Sequence, residues 1–254
     1  MNEELHFEVD GDIAIITIDR PAQRNSLGRL VREGLFAAFE RFDRDDTLNV
    51  AILTARGDKA FCAGMDLKEM SGSAMTVPPR NLVPVLGDNV QVGKPVIAAV
   101  NGIAYAGGWL LAQMCDLCVA AEHATFAITE AKVGRGMPWA APLVRMLPQR
   151  IVMEVLLTGE PLTARRAYEL GFVNAVVPAE RLMDEAKALA GRIARNAPLT
   201  VRAARELVYL AGDMGRAAGL QAARHLFDHV YLSSDAQEGP RAFVEKRPPR
   251  WTGR

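Results

Sequence analysis

Cysteine is scarce: the 254 residues contain three, Cys62, Cys115 and Cys118. An odd count in a long chain excludes a disulfide framework of the secreted kind and fits free thiols in a reducing compartment. Charge excess is lacking as well. Thirty Lys and Arg balance thirty Asp and Glu, which removes the electrostatic signature of a nucleic-acid or acidic-membrane binder. No apolar run is long enough to span a bilayer, and the opening residues MNEELHFEVDGD are too acidic and polar for a signal peptide. A cytoplasmic protein with no nucleic-acid and no membrane partner is expected. Nucleotide fingerprints are missing: the chain's two glycine-bearing turns match neither a Walker loop nor GxGxxG. Metal motifs are incomplete. Cys115-x-x-Cys118 has no second CxxC, and a structural zinc needs four ligands. His225 and His229, one helical turn apart, lack an HExxH pattern. These read as buried thiols and helix-face residues, and no metal is expected.

What is present is apolar. Half the residues are hydrophobic, enough for a sizeable core, and the length fits one large domain or one domain with a helical appendage. Residues 5–9 and 13–18 flank Asp10-Gly11-Asp12 and predict a β-hairpin. Ser26 predicts the N-cap of a helix carrying Leu30, Val31, Leu35, Phe39 and Phe42. Buried strands are predicted over 49–54 and 95–100, shorter ones over 117–121 and 124–128, and a last one over 173–177. A Gly-, Ser- and Pro-containing stretch runs from Ser71 to Arg80. From residue 179 the pattern predicts consecutive helices over 179–195, 198–212, 216–232 and 235–245. The fold class is therefore α/β with mostly parallel, buried strands over 1–178, followed by an all-helical region over 179–254.

Two glycine-bearing turns are candidates for chemistry. One is Cys62-Ala63-Gly64-Met65-Asp66-Leu67. The other, Ala106-Gly107-Gly108-Trp109, opens a helix after a buried strand. Small residues let a ligand approach the backbone, and a helix start leaves unpaired N–H groups at a positive dipole end. Two such groups aimed at one point would stabilise a carbonyl oxygen gaining negative charge. The plainer alternative is that these glycines only permit tight turns. Asp66 reads as a local helix cap and Asp116 as a tie at a strand end. Glu130, taken alone, reads as a surface or salt-bridged residue. Met70, Trp109, Leu110, Met137 and Trp139 read as ordinary core.

Six segments in order change the weighting: RPAQRNSL, KAFCAGMDLKEM, KPVIAAVNGIAYAGGWLLAQMCDL, ATFAITEAKVG, LTGEPLTARRAYELGFVNAVVP and SSDAQEGPRAFVEKRPP. Together they resemble the enoyl-CoA hydratase/isomerase (crotonase) family over nearly the whole chain. The resemblance implies a spiral of ββα units with a C-terminal helical trimerisation region, and assembly as a homotrimer or a dimer of trimers. It implies an acyl-CoA substrate with coenzyme A as part of that substrate and no separate cofactor. The oxyanion-hole donors would fall on Met65 and Gly107. CoA would meet Arg24, Ala63, Met65 and Lys68, with Phe227 and Lys246 reaching a CoA site across a subunit boundary. Met70, Trp109, Leu110, Met137 and Trp139 would line the acyl pocket.

The departures from the family pattern set the expectation for reaction type. Hydratases of the family carry two glutamates. Here Leu110 occupies the position of the first and Glu130 that of the second. Trp139 stands where a small residue helps hold water. Hydration needs an oriented water, a base and an acid, and Leu110 supplies none of these. Glu130 alone suffices to move a proton away from and back to the α-carbon. The expectation is an acyl-CoA enzyme with Glu130 as single acid/base, isomerase-like or an atypical hydratase/dehydratase, slow at ordinary hydration. Two alternatives remain: a non-catalytic acyl-CoA-binding protein on the same scaffold and, more remotely, a metal-binding module.

Overall fold

The computed structural model describes residues 2–71 and 76–254; four residues of the Ser71–Arg80 stretch fall outside these. The chain opens with the expected hairpin, β1 (Leu5–Asp10) antiparallel to β2 (Ile13–Ile18). Helix α1 (Arg29–Arg44) returns to β3 (Val50–Ala55), parallel to β2. From there one unit repeats: a strand in a first sheet, a strand in a second sheet, then a helix. The first unit is β3, β4 (Ala60–Cys62) and α2 (Leu67–Ser71). The second is β5 (Val96–Val100), β6 (Ile103–Tyr105) and α3 (Gly107–Met114). The third begins with β7 (Leu117–Ala121) and β8 (Thr125–Ala127). Two helices follow, α4 (Leu143–Met146) and α5 (Gln149–Thr158), then β9 (Leu162–Thr163), α6 (Ala164–Glu169) and β10 (Ala175–Val177). The first sheet has the order β1-β2-β3-β5-β7-β10 and the second β4-β6-β8-β9.

Alternation along the strands of the first sheet serves two buried faces. Ala14, Ile16, Ala51, Leu53, Ala98 and Ala120 join the main core, which includes Phe39 and Phe42 of α1. Their neighbours Ile15, Ile52, Ile97 and Val119 face α7 (Leu182–Ala194), which contributes Leu182, Ala186 and Ala190. Burial on both faces is why these strands read as continuous apolar runs. The helical region set off at residue 179 is thus not one layer. Helix α7 covers the first sheet, whereas α8 (Pro198–Asp213) and α9 (Arg216–Tyr231) pack on one another and α10 (Ser234–Val244) on α9. The outer helices leave large apolar side chains exposed, among them Leu220, Tyr231, Leu232 and Phe243.

Ser26 does not cap α1. Its hydroxyl accepts from Arg20 Nη1 at 3.0 Å. The N-cap position falls on Gly28, and the Glu69 carboxylate, from α2, accepts from the Arg29 N–H at 3.0 and 3.2 Å. Asp116 does tie a strand end: it accepts from the Val96 N–H at 2.8 Å, and also from Arg205 and Tyr209 of α8. All three cysteines are buried and free, and burial pushes the Cys62 and Cys118 thiols up to about 12.

Candidate active site

The two glycine turns lie against each other. The Leu27 N–H donates to Gly64 O at 2.8 Å and the Ala63 N–H to Arg24 O at 3.1 Å, so the loops at 24–27 and 63–65 run side by side. A Cβ placed on Gly64 would stand 2.9 Å from Ala106 Cβ and 3.5 Å from the Gly107 nitrogen. Gly64 has φ +96°, so glycine serves both the turn and the close approach. Gly108 is more constrained still, with Cys62 O 2.0 Å from an added Cβ. Ala106, the N-cap residue of α3, sits at φ 52° and ψ −118°, a strained setting for a residue with a Cβ. Gly107 is the first residue of α3, so its N–H has no partner within the helix. Among the described residues neither the Met65 nor the Gly107 N–H has a hydrogen-bond acceptor.

An Arg20–Asp66 pair at 2.7 Å braces this junction. Asp66 also accepts from the Lys68 N–H at 3.0 Å, capping α2 locally as expected. The hydrogen bond from Arg20 holds the Asp66 carboxyl below its ordinary value. Arg20 carries a single local signal in the sequence, its place at the head of the RPAQRNSL segment.

Glu130 arrives from the other side. The Ala106 N–H donates to Ala127 O at 2.8 Å, tying the end of β8 to the start of α3. Three residues later Glu130 opens a single 3-10 turn, Glu130–Val133. It is not exposed, and among the described residues it has no salt-bridge partner. It is 8 % exposed, and its Oε2 has no partner among the described residues. Burial raises its carboxyl above the usual range, against hydrogen bonds from its own N–H, the Trp139 side chain and the Thr129 backbone. Trp139 thus lies beside the Glu130 carboxyl. Trp139 is itself held from α3, where Gln113 Nε2 donates to its main-chain oxygen at 2.8 Å. Gln113 is buried, and its Oε1 has no partner. It follows Leu110 by three residues and so is its neighbour on the helix surface. Gln113 also borders a cavity of about 250 Å³ that includes Asp116, Arg145, Phe172 and Asn174. Gln113 was not singled out in the sequence, although it is the one polar side chain in GGWLLAQM.

The remaining candidates divide. Leu110 is buried on the first turn of α3, and Met70, Met137 and Trp139 are half-buried, Met137 and Trp139 packing against the core. Trp109 packs as core: it is 0 % exposed, and its ring meets Phe126 and Phe172 at 5.7 and 5.5 Å. Arg24 and Lys68 are exposed near the Ala63–Met65 loop, and among the described residues neither has a carboxylate partner. Phe227 lies half-buried on α9 and Lys246 is exposed just beyond α10. No hydrogen bond or ion pair among the described residues joins either to the 63–68 segment.

Comparison with known proteins agrees with this architecture along its whole length. A family model described as enoyl-CoA hydratase/isomerase matches residues 8–254. Carnitinyl-CoA dehydratases from Proteus mirabilis and Salmonella paratyphi A are 37 % and 39 % identical, each over all of both chains. Solved enoyl-CoA hydratases superpose closely. That of Mycobacterium tuberculosis has a TM-score of 0.91 at 40 % identity over all of both chains. That of Bacillus anthracis has 0.89 at 32 %, covering 99 % of this chain and 100 % of its own. The chain has the crotonase fold and belongs to the enoyl-CoA hydratase/isomerase family.

Proposed function

We propose that this enzyme is an acyl-CoA hydratase/dehydratase that works through a thioester enolate. The Met65 and Gly107 N–H groups form the oxyanion hole and Glu130 is the single acid/base. The observation that carries this reading is the junction just described. Two unpaired backbone N–H groups lie on abutting turns, and one hydrogen bond, from Ala106 to Ala127, links that junction to the segment bearing a buried, partly unpaired carboxyl. Such donors stabilise charge where it develops without reorganising, and a carboxyl held high by burial is suited to exchange protons near neutral pH.

Leu110 and Trp139 favour double-bond migration over water chemistry when considered alone. The relatives named as dehydratases support the opposite emphasis, and carnitinyl-CoA heads the substrates to test. The experiment is a panel of 3-hydroxyacyl-, 2-enoyl- and 3-enoyl-CoA thioesters, with carnitinyl- and crotonyl-CoA included, read by mass spectrometry. Gain or loss of one water is expected to exceed double-bond migration on at least one substrate. Migration alone would make the enzyme an isomerase. CoA binding with no turnover on any member would leave the binding-only alternative standing.

CoA is proposed to lie along Ala63–Met65, its phosphates near Arg24 and Lys68, with Phe227 and Lys246 supplied by a neighbouring subunit of a trimer or hexamer. The exposed apolar side chains of α9 and α10 support such an assembly. Light scattering should give three or six copies. CoA affinity should weaken with salt and with Lys246→Ala. A monomer whose affinity ignores both changes would overturn this arrangement.

A further inference from the structure

We infer that Arg20 is a positioning residue for turnover, which aims and strengthens the Met65 N–H through the Ser26–Leu27 peptide group. This rests on the oxyanion reading of Met65 and deepens it. The chain of bonds is short. Arg20 Nη1 donates to Ser26 Oγ at 3.0 Å and, more distantly, to Ser26 O at 3.4 Å, while it holds Asp66 at 2.7 Å. The Ser26 carbonyl and the Leu27 N–H belong to one peptide group, and that N–H donates to Gly64 O at 2.8 Å. Gly64 O and the Met65 N–H in turn belong to one peptide group, and a parallel β-bridge pairs Leu27 with Met65. A trans peptide is planar, with its C=O and N–H pointing in opposite directions. Tying Gly64 O to Leu27 therefore turns the Met65 N–H away from the 24–27 loop. A hydrogen bond accepted at a carbonyl also polarises that peptide and makes its N–H the stronger donor. Two peptide groups in series thus lead from the Arg20 guanidinium to the proposed oxyanion donor.

The first loop is held hard against the second. Arg24 and Asn25 both sit at positive φ, 52° and 54°, a strained setting for residues with a Cβ. Asn25 is 1 % exposed. Its side chain accepts from the Arg20 N–H at 2.9 Å and donates to Ala60 O at 2.6 Å, so the turn is fastened to β4, the strand that leads into the second loop. Arg20 joins the loops from the other direction: Ser26 lies on one, and Asp66, next to Met65, lies on the other. The guanidinium stands between two carboxylates, Asp66 and Glu4, the latter 2.9 Å from Nε. The cluster therefore has no net positive charge to offer the site. Its influence passes through the alignment of the loops and their hydrogen-bonded peptide groups rather than through a long-range field. Arg20 neither touches the thioester nor exchanges a proton.

The test reads the donor itself. Butanoyl-CoA carrying ¹³C at its carbonyl is bound to the full-length protein, and its carbonyl stretch is compared with that in solution by difference infrared spectroscopy. Exchange of its α-protons with D₂O, which needs the enolate but no attacking water, gives kcat and KM. Arg20→Met should shrink the downward shift of the stretch and lower kcat for exchange about 10-fold, part of the roughly 10²- to 10³-fold that a lost donor costs. KM should change little. Arg20→Lys keeps the charge but not the fork that serves Ser26 and Asp66 together, so it should recover part of both effects in step. Should Arg20→Met not fold, Ser26→Ala, which removes one contact and keeps the ion pair, decides the question by the same shift. A variant with a lower Tm and the wild-type shift would make Arg20 a structural brace alone and overturn the inference. Shift and affinity lost together would mean that the whole loop had moved, and would overturn it too. A wild type that leaves the stretch where it lies in solution removes the oxyanion reading and this inference with it. A wild-type shift that no variant alters removes the inference alone.

Discussion

Glu130→Gln is expected to lower turnover by about 10²- to 10⁴-fold, the usual contribution of a positioned acid/base, with CoA affinity unchanged. Glutamine keeps the shape, so the loss reports proton transfer. The pH dependence follows from burial. Burial holds the folded carboxyl above its ordinary value, so the acid limb of kcat/KM should lie higher than that of an exposed glutamate. The same shift has a stability consequence of definite sign. A carboxyl whose folded pKa is raised binds its proton more tightly when folded, so its ionisation disfavours the native state at higher pH. Glu130→Gln should therefore raise the Tm at pH 8. The gain should shrink as pH falls through the folded pKa and vanish below the unfolded one. Turnover that survives the substitution, or a Tm difference that does not change with pH, would remove Glu130 from the centre of the mechanism.

Gly107→Pro is the second large effect, with a loss of about 10²- to 10³-fold in turnover relative to Gly107→Ala, the cost of one oxyanion donor. The comparison with alanine is what makes it informative. An added Cβ at 107 meets Leu27 Cδ1 at 2.7 Å, the movable end of a side chain, and both variants carry that Cβ. Only proline lacks the N–H. Proline also disfavours the φ and ψ that Ala106 adopts, so its Tm should fall below alanine's, and turnover must be compared at a temperature where both are folded. A folded, CoA-binding proline variant with alanine's turnover would refute the assignment. Independently of any variant, the carbonyl stretch of a bound thioester should move to lower frequency.

How much of this was legible beforehand depended on distance along the chain. The hairpin shows itself in Asp10-Gly11-Asp12. The first-sheet strands are visible as unbroken apolar runs because α1 and α7 bury opposite faces of one sheet. Ser26 misled because capping is a local pattern, and here the stabilising carboxylate, Glu69, comes from 40 residues further on. The site repeats the lesson. Gly64 and Gly108 stand out because closely approaching backbones demand glycine. That Glu130 is buried was hidden, because its surroundings are assembled from separate turns of the spiral. Gln113 was visible as a polar residue in an apolar helix, yet its partner lies 26 residues downstream. For Trp109 the residues alone point to core and the family resemblance to an acyl pocket. Its contacts with Phe126 and Phe172 depend on strand β8 and the segment before β10, which no spacing rule brings together.

The order of the strands carries one more consequence, for how the chain is made. In the first sheet β3, β5, β7 and β10 are laid down side by side in the sequence in which they leave the ribosome, and in the second sheet β4, β6, β8 and β9 follow the same rule. Apart from β4, which founds the second sheet and waits for β6, every newly emerged strand after the hairpin therefore meets a neighbour that is already synthesised, and none has to be inserted between segments still to come. Until synthesis passes β10, each sheet carries an open edge of unpaired N–H and C=O groups that invites the wrong partner. The strand that closes the first sheet is three residues long, which keeps the finished edge short.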